Sequence, residues 1–173
     1  MALEDFNKAI ELRPNYAEAF KNRAFVYCEK NLFDPALNDL SKAIELDPNY
    51  AGAYNERGQL YKFRRQYDLA LADYSRAINA SPNYADAYNN RGNLLGSLGS
   101  YYDAIRNFNK CLSLNPKHVS AFFNLAQANE IIGNRPAAKK YYKLALDIGL
   151  PDKENAKALA RLRNEWRTNR EWI

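Results

Sequence analysis

Four prolines, Pro14, Pro48, Pro82 and Pro116, keep one constant step of i to i+34. Proline cannot continue a helix and pushes the residue before it out of the α region, so equal spacing divides a helical chain into equal blocks. A period of a few tens of residues is the mark of a solenoid. Other positions keep the same step. Small residues recur at Ala2, Ala36, Ala70, Ala104 and Ala138, and at Ala9, Ala43, Ala77, Cys111 and Ala145. Large apolar residues recur at Phe6, Leu40, Tyr74, Phe108 and Tyr142, and at Phe20, Tyr54, Tyr88 and Phe122. A third small set is Ala24, Gly58, Gly92 and Ala126.

Within each block the apolar positions step by three and four, the spacing of one helix face. Tyr54, Gly58 and Tyr61 form one such stripe; Tyr67, Ala70, Leu71, Tyr74, Ala77 and Ile78 form the next. Arg64-Arg65-Gln66 interrupts them, and the corresponding turns hold Asn31, Gly99 and Gly133, residues that tolerate a left-handed backbone. Each block therefore reads as two antiparallel helices. Small residues let the pair approach closely, and aromatic residues fill the space beside it.

In this pattern of small, large and proline positions the chain resembles the tetratricopeptide repeat family over most of its length, through that family's repeating helix pairs. The resemblance implies an all-α fold, a right-handed α-solenoid of antiparallel helix pairs with about 4.5 repeats, its concave groove lined by the first helices. One domain spans residues 1–173: a half repeat at 1–16, repeats at 17–50, 51–84, 85–118 and 119–151, and a terminal helix at 152–173. That last stretch breaks the period. Ala156, Leu159, Leu162, Trp166 and Ile173 fit one helix face, as a cap over an open solenoid end would. Leu125 where three repeats have Arg, and Cys111 where others have Ala, are departures from the pattern.

Composition narrows the function. The mean hydropathy of −0.62 and the lack of an apolar run long enough to cross a bilayer leave no membrane span. The chain opens on no basic-then-apolar leader, so a cytoplasmic location is expected. Two cysteines and one histidine, His118, supply neither a disulfide framework nor a metal-ligand cluster. No nucleophile elbow, phosphate-binding glycine loop or dinucleotide fingerprint is present. The chain is expected to be no enzyme and to hold no cofactor or metal.

Charge is local. Residues 1–133 carry 15 basic and 15 acidic side chains, whereas residues 134–173 carry 10 and 5. Lys139, Lys140, Lys143, Lys153, Lys157, Arg161, Arg163, Arg167 and Arg170 could contact phosphates, but the interspersed acids suit an ordinary solvated helix surface. Nucleic-acid binding is accordingly the weaker alternative.

Positions that the repeat does not use for packing are more informative. They hold Lys21 and Asn22, Asn55 and Glu56, Asn89 and Asn90, and Asn124; one turn on come Phe25, Gln59, Asn93 and Gln127. By resemblance these first-helix positions face the groove. A carboxamide both donates and accepts, so it can pair with the backbone of an extended peptide whatever its sequence. The expected ligand-binding set is Lys21, Asn22, Asn55, Gln59, Asn89, Asn90, Asn93, Asn124 and Gln127, with the amides facing solvent. The competing reading is a merely polar, solvated face. Asn22, Asn90 and Asn124 are similar to the asparagine ladder of the family's glycosyltransferase superhelices, which Glu56 interrupts. The chaperone-tail subtype is disfavoured, because the cations that would hold a terminal carboxylate are missing from its positions.

Two further expectations concern assembly. Leu3, Phe6 and Ile10 form an apolar stripe suited to packing between two first helices, so the N-terminal helix is a candidate for self-association into a homo-oligomer. Arg23, Arg57 and Arg91 recur at one position, with Asp5, Asp39 and Asp73 at i−18 from each in turn. That spacing predicts ion pairs between neighbouring repeats, in preference to the alternative of partners at i+16.

Overall fold

The computed structural model describes residues 2–149. Among the described residues there are nine helices and no strand: α1 (Ala2–Leu12), α2 (Ala17–Glu29), α3 (Phe33–Leu46), α4 (Ala51–Phe63), α5 (Tyr67–Ala80), α6 (Ala85–Ser97), α7 (Tyr101–Leu114), α8 (Val119–Ile131) and α9 (Arg135–Ile148). The chain is an α-solenoid of antiparallel helix pairs. The expected terminal cap at 152–173 lies outside the described residues, as do the basic side chains from Lys153 to Arg170.

Each pair closes through the same turn. Asn31 and Arg65, at φ 59°, and Gly99 and Gly133, at φ 83° and 81°, adopt the left-handed conformation at equivalent positions. The next residue donates its N–H back to the last turn of the helix, Leu32 to Tyr27 and Gln66 to Tyr61, both at 2.8 Å. This satisfies carbonyls that the helix end would otherwise strand. Between pairs, Asp47 takes the extended backbone that a following proline requires, and its Oδ1 accepts the N–H of Asn49 at 2.9 Å. His118 serves the same economy at the start of α8, where its Nδ1 accepts the N–H of Ala121 at 3.1 Å.

The described residues form two compact units, 2–94 and 95–149. In the first, α1 packs on α2, α2 on α3, α3 on α4 and α4 on α5. One core joins Phe20, Ala24, Ala36, Leu40, Ala43, Ala53 and Leu60, and another joins Ala70, Tyr74 and Leu94. Ala24, Ala36, Ala43, Ala70 and Ala77 are wholly buried because they are where helices meet, whereas on α1 Ala2 is exposed and Ala9 half-buried. At Gly58 the approach is closest: a Cβ there would lie 2.8 Å from Cε1 of Tyr74. In the second unit α7 packs on α8 and α8 on α9, around Ala104, Phe108, Leu125 and Ala128 and around Phe123, Ala126, Ala138 and Tyr142. Cys111 is buried there, whereas Cys28 is half-buried and burial pushes its thiol pKa up.

The recurring arginines correct the expected spacing. Arg23 pairs with Asp39 and Arg57 with Asp73, each at i+16 and within one repeat, with Nε to Oδ2 at 2.7 Å in both. Arg23 does not take Asp5, nor Arg57 Asp39. Helix geometry explains the difference. Arg23 lies six positions before the end of α2 and Asp39 six after the start of α3, so both stand about 9 Å from the shared turn. The link to the preceding repeat uses neutral groups at i−16: Asn7 for Arg23, Ser41 for Arg57 and Ser75 for Arg91, at 2.8, 3.1 and 3.2 Å. Asp39 and Ser41 are two apart on α3 and point to different neighbours.

Candidate functional site

The first helices of the leading unit, α2, α4 and α6, present the residues that sequence reasoning singled out, and side chains bridge one helix to the next. Lys21 Nζ on α2 lies 2.9 Å from Glu56 Oε1 on α4. Asn90 on α6 donates its Nδ2 to Asn55 Oδ1 on α4 at 3.0 Å, and Asn55 donates to the Tyr84 hydroxyl at 3.4 Å. Lys62, in the last turn of α4, donates to Asn93 Oδ1 on α6.

These bridges are partly withdrawn from water, and their protonation follows. Burial raises the pKa of Glu56 against the pull of Lys21. Burial pulls Lys21 down, but its bond to Glu56 and that charge outweigh it and leave the ammonium above its ordinary value. Lys62 is lowered by burial alone. Tyr50 and Tyr84 are both raised, chiefly by burial.

The expected set divides accordingly. Asn55 is only 3% exposed, which corrects the expectation that all these amides face solvent: it is a buried bridge between α4 and α6. Lys21, Asn22, Asn89, Asn90 and Asn93 are half-buried, and Gln59 is exposed. Phe25, one repeat before Gln59 at the equivalent position, is 57% exposed. In the second unit, α8 carries Asn124 half-buried and Gln127 exposed. Lys139, Lys140 and Lys143 are exposed on α9. On α1, Leu3 and Phe6 are half-buried, while Ile10 packs against the core around Phe20 and Leu40. No residue of α1 is fully buried, and Leu12 is 70% exposed.

Sequence reasoning missed Lys62. Its equivalents in other repeats are Cys28, Gly96 and Glu130, so the period gives no hint of a cation there. The available signal was that α4 holds this lysine one turn beyond Gln59. Among the described residues no group of His, Cys, Asp and Glu is arranged to hold a metal ion.

Tetratricopeptide repeat models match residues 26–62, 64–99, 85–118 and 119–148. The chain belongs to the tetratricopeptide repeat family. No curated protein matches it significantly. Among solved structures, this tetratricopeptide chain is similar to MamA, at 29% identity and a TM-score of 0.75 over 90% of this chain and 88% of that one. It also resembles Pseudomonas aeruginosa pilF, at 22% identity and a TM-score of 0.82, over 96% of this chain and 78% of the other. MamA 41-end from Desulfovibrio magneticus RS-1 matches at 19% identity and a TM-score of 0.72, over 84% and 82%. The last two likenesses show the fold alone. Tetratricopeptide arrays are protein-interaction scaffolds in kind, and this chain has that architecture. No described helix is long and apolar enough to cross a membrane.

Proposed function

We propose that the chain is a non-catalytic scaffold that binds an extended peptide or partner segment along the first-helix faces. The supporting observation is the pairing of fixed polar groups with open ones on the leading unit. Lys21–Glu56 and Asn90–Asn55 hold the face in one arrangement, while Gln59 and Phe25 stand exposed beside them. A surface ordered before binding loses less side-chain entropy when a ligand arrives. Gln59 offers a peptide backbone both donor and acceptor, and Phe25 offers an apolar side chain a place out of water. In the second unit Asn124 and Gln127 carry the same chemistry at equivalent positions.

Selection from a displayed library of random linear peptides tests this, followed by NMR mapping of a selected peptide on the labelled chain. Side-chain amide signals of Gln59, Asn90 and Asn93 should shift on binding. Gln59→Ala should weaken binding by about 0.5–1.5 kcal/mol, a typical net hydrogen bond. Failure to select any peptide, or shifts confined to other surfaces, overturns the reading.

A second reading is self-association through Leu3, Phe6 and Ile10, favoured by the absence of any fully buried residue in α1. Sedimentation equilibrium checks it: Phe6→Glu should abolish any dimer, and a wild-type monomer at high concentration excludes it.

A further inference from the structure

We infer that the segment bound by the leading unit carries an acidic side chain, which pairs with Lys62. The inference rests on the binding reading above and names the chemistry of its occupant. Lys62 is half-buried in the last turn of α4. Its ammonium has three donors, and its hydrogen bond goes to the neutral carboxamide oxygen of Asn93. It forms no ion pair with a carboxylate among the described residues, and burial alone acts on its charge.

The neighbouring charges behave differently. Lys21 is neutralised by Glu56, Arg23 by Asp39 and Arg57 by Asp73. Arg64, two positions beyond Lys62, is paired with Asp34. Lys62 differs from all four in that its partner is uncharged. A half-buried ammonium has given up part of its hydration without an opposite charge in return. A carboxylate brought by a ligand would restore both, through charge-assisted hydrogen bonds from the ammonium donors that Asn93 does not take.

A side chain fits better than a chain terminus. Lys62 lies on α4, the middle of the three first helices, which is bridged to α2 through Lys21–Glu56 and to α6 through its own bond to Asn93. A segment crossing all three passes over it and continues. One ammonium beside one amide matches one flexible Asp or Glu.

The test uses the full chain and a displayed library of random linear peptides fused through their C-termini, so that no peptide has a free terminal carboxylate. Peptides selected on the wild-type chain should share an Asp or Glu at a fixed position. Selection on Lys62→Met, which keeps the aliphatic stem, should lose that preference, and Lys62→Arg should retain it. A synthetic selected peptide with its Glu replaced by Gln should bind the wild-type chain about tenfold more weakly and Lys62→Met no worse than before. The peptide arm does not depend on how the protein variant folds. Selected peptides without an acidic preference, or a preference that survives Lys62→Met, overturn this inference and leave the binding reading intact. Peptides that bind only when synthesised with a free C-terminal carboxylate also overturn it. If no peptide is selected, the binding reading falls and this inference with it.

Discussion

Asp73 grips Arg57 with both oxygens: Oδ2 accepts from Nε at 2.7 Å and Oδ1 from Nη2 at 2.9 Å. The remaining guanidinium nitrogen, Nη1, reaches Ser41 on the preceding repeat. The guanidinium also lies 5.7 Å from the ring centres of both Tyr54 and Tyr61. One side chain thus joins α4 to α5 by charge and α4 to α3 by a neutral bond. With Asp73 3% and Arg57 13% exposed, the pair is shielded from solvent. Removing Asp73 leaves the Arg57 guanidinium buried without an opposite charge.

Asp73→Ala should therefore lower stability by about 3 kcal/mol, near the cost of breaking a buried pair. The same change at Asp39, whose partner Arg23 is more exposed, should lose less. Urea unfolding of both variants checks the order, and equal losses would show that burial does not set the value of the pair.

Two tyrosines at equivalent repeat positions should respond oppositely to loss of the hydroxyl. The Tyr74 hydroxyl is buried and has no hydrogen-bond partner, whereas that of Tyr142 donates to Glu130 Oε2 at 2.8 Å. Tyr74→Phe should stabilise the chain by about 1 kcal/mol by removing an unsatisfied group, and Tyr142→Phe should destabilise it by a similar amount. Thermal melts in parallel read the signs directly.

Asn55→Ala should cost about 1–2 kcal/mol of stability, since it strands Asn90 and Tyr84. Gln59→Ala should leave stability unchanged within a few tenths of a kcal/mol, because the amide is exposed. A Gln59 variant that unfolds early would remove it from the proposed binding face and make it structural.

Burial lowers the pKa of Lys62 from 10.5, so the folded chain releases this proton more readily than the unfolded chain does. Unfolding then takes up protons, and this group's contribution to stability rises with pH through the window below 10.5. Comparing wild type with Lys62→Met between neutral and alkaline pH isolates it. The wild type should gain on the variant as pH rises, and parallel stability curves would contradict the shift.

Regular packing was legible because it repeats. Pro48 and Pro82, Ala36 and Ala70, and Leu40 and Tyr74 keep one spacing since every helix pair must solve the same problem of closing a turn and burying a stripe. The left-handed turn position was legible as Asn31, Gly99 and Gly133, although Arg65 takes it too, held there by the bond from Gln66 to Tyr61. Nothing local in Arg65 announces that conformation; the closing of α4 on α5 imposes it.

Side-chain partnership was decided in three dimensions. Steps of i+16 and i−18 both place an aspartate near Arg57 along the chain, and only the facing of α4 on α5 selects Asp73 over Asp39. Asn55 and Asn89 occupy one repeat position, yet Asn55 is buried because Asn90 and Tyr84 close over it. Lys62 owes its setting to Asn93, far along the chain on another helix. The repeat period determines which helices form and which faces they bury. Which polar groups meet, and which charge lacks a charged partner, depends on contacts between helices, where a shift of one helical turn changes the partner.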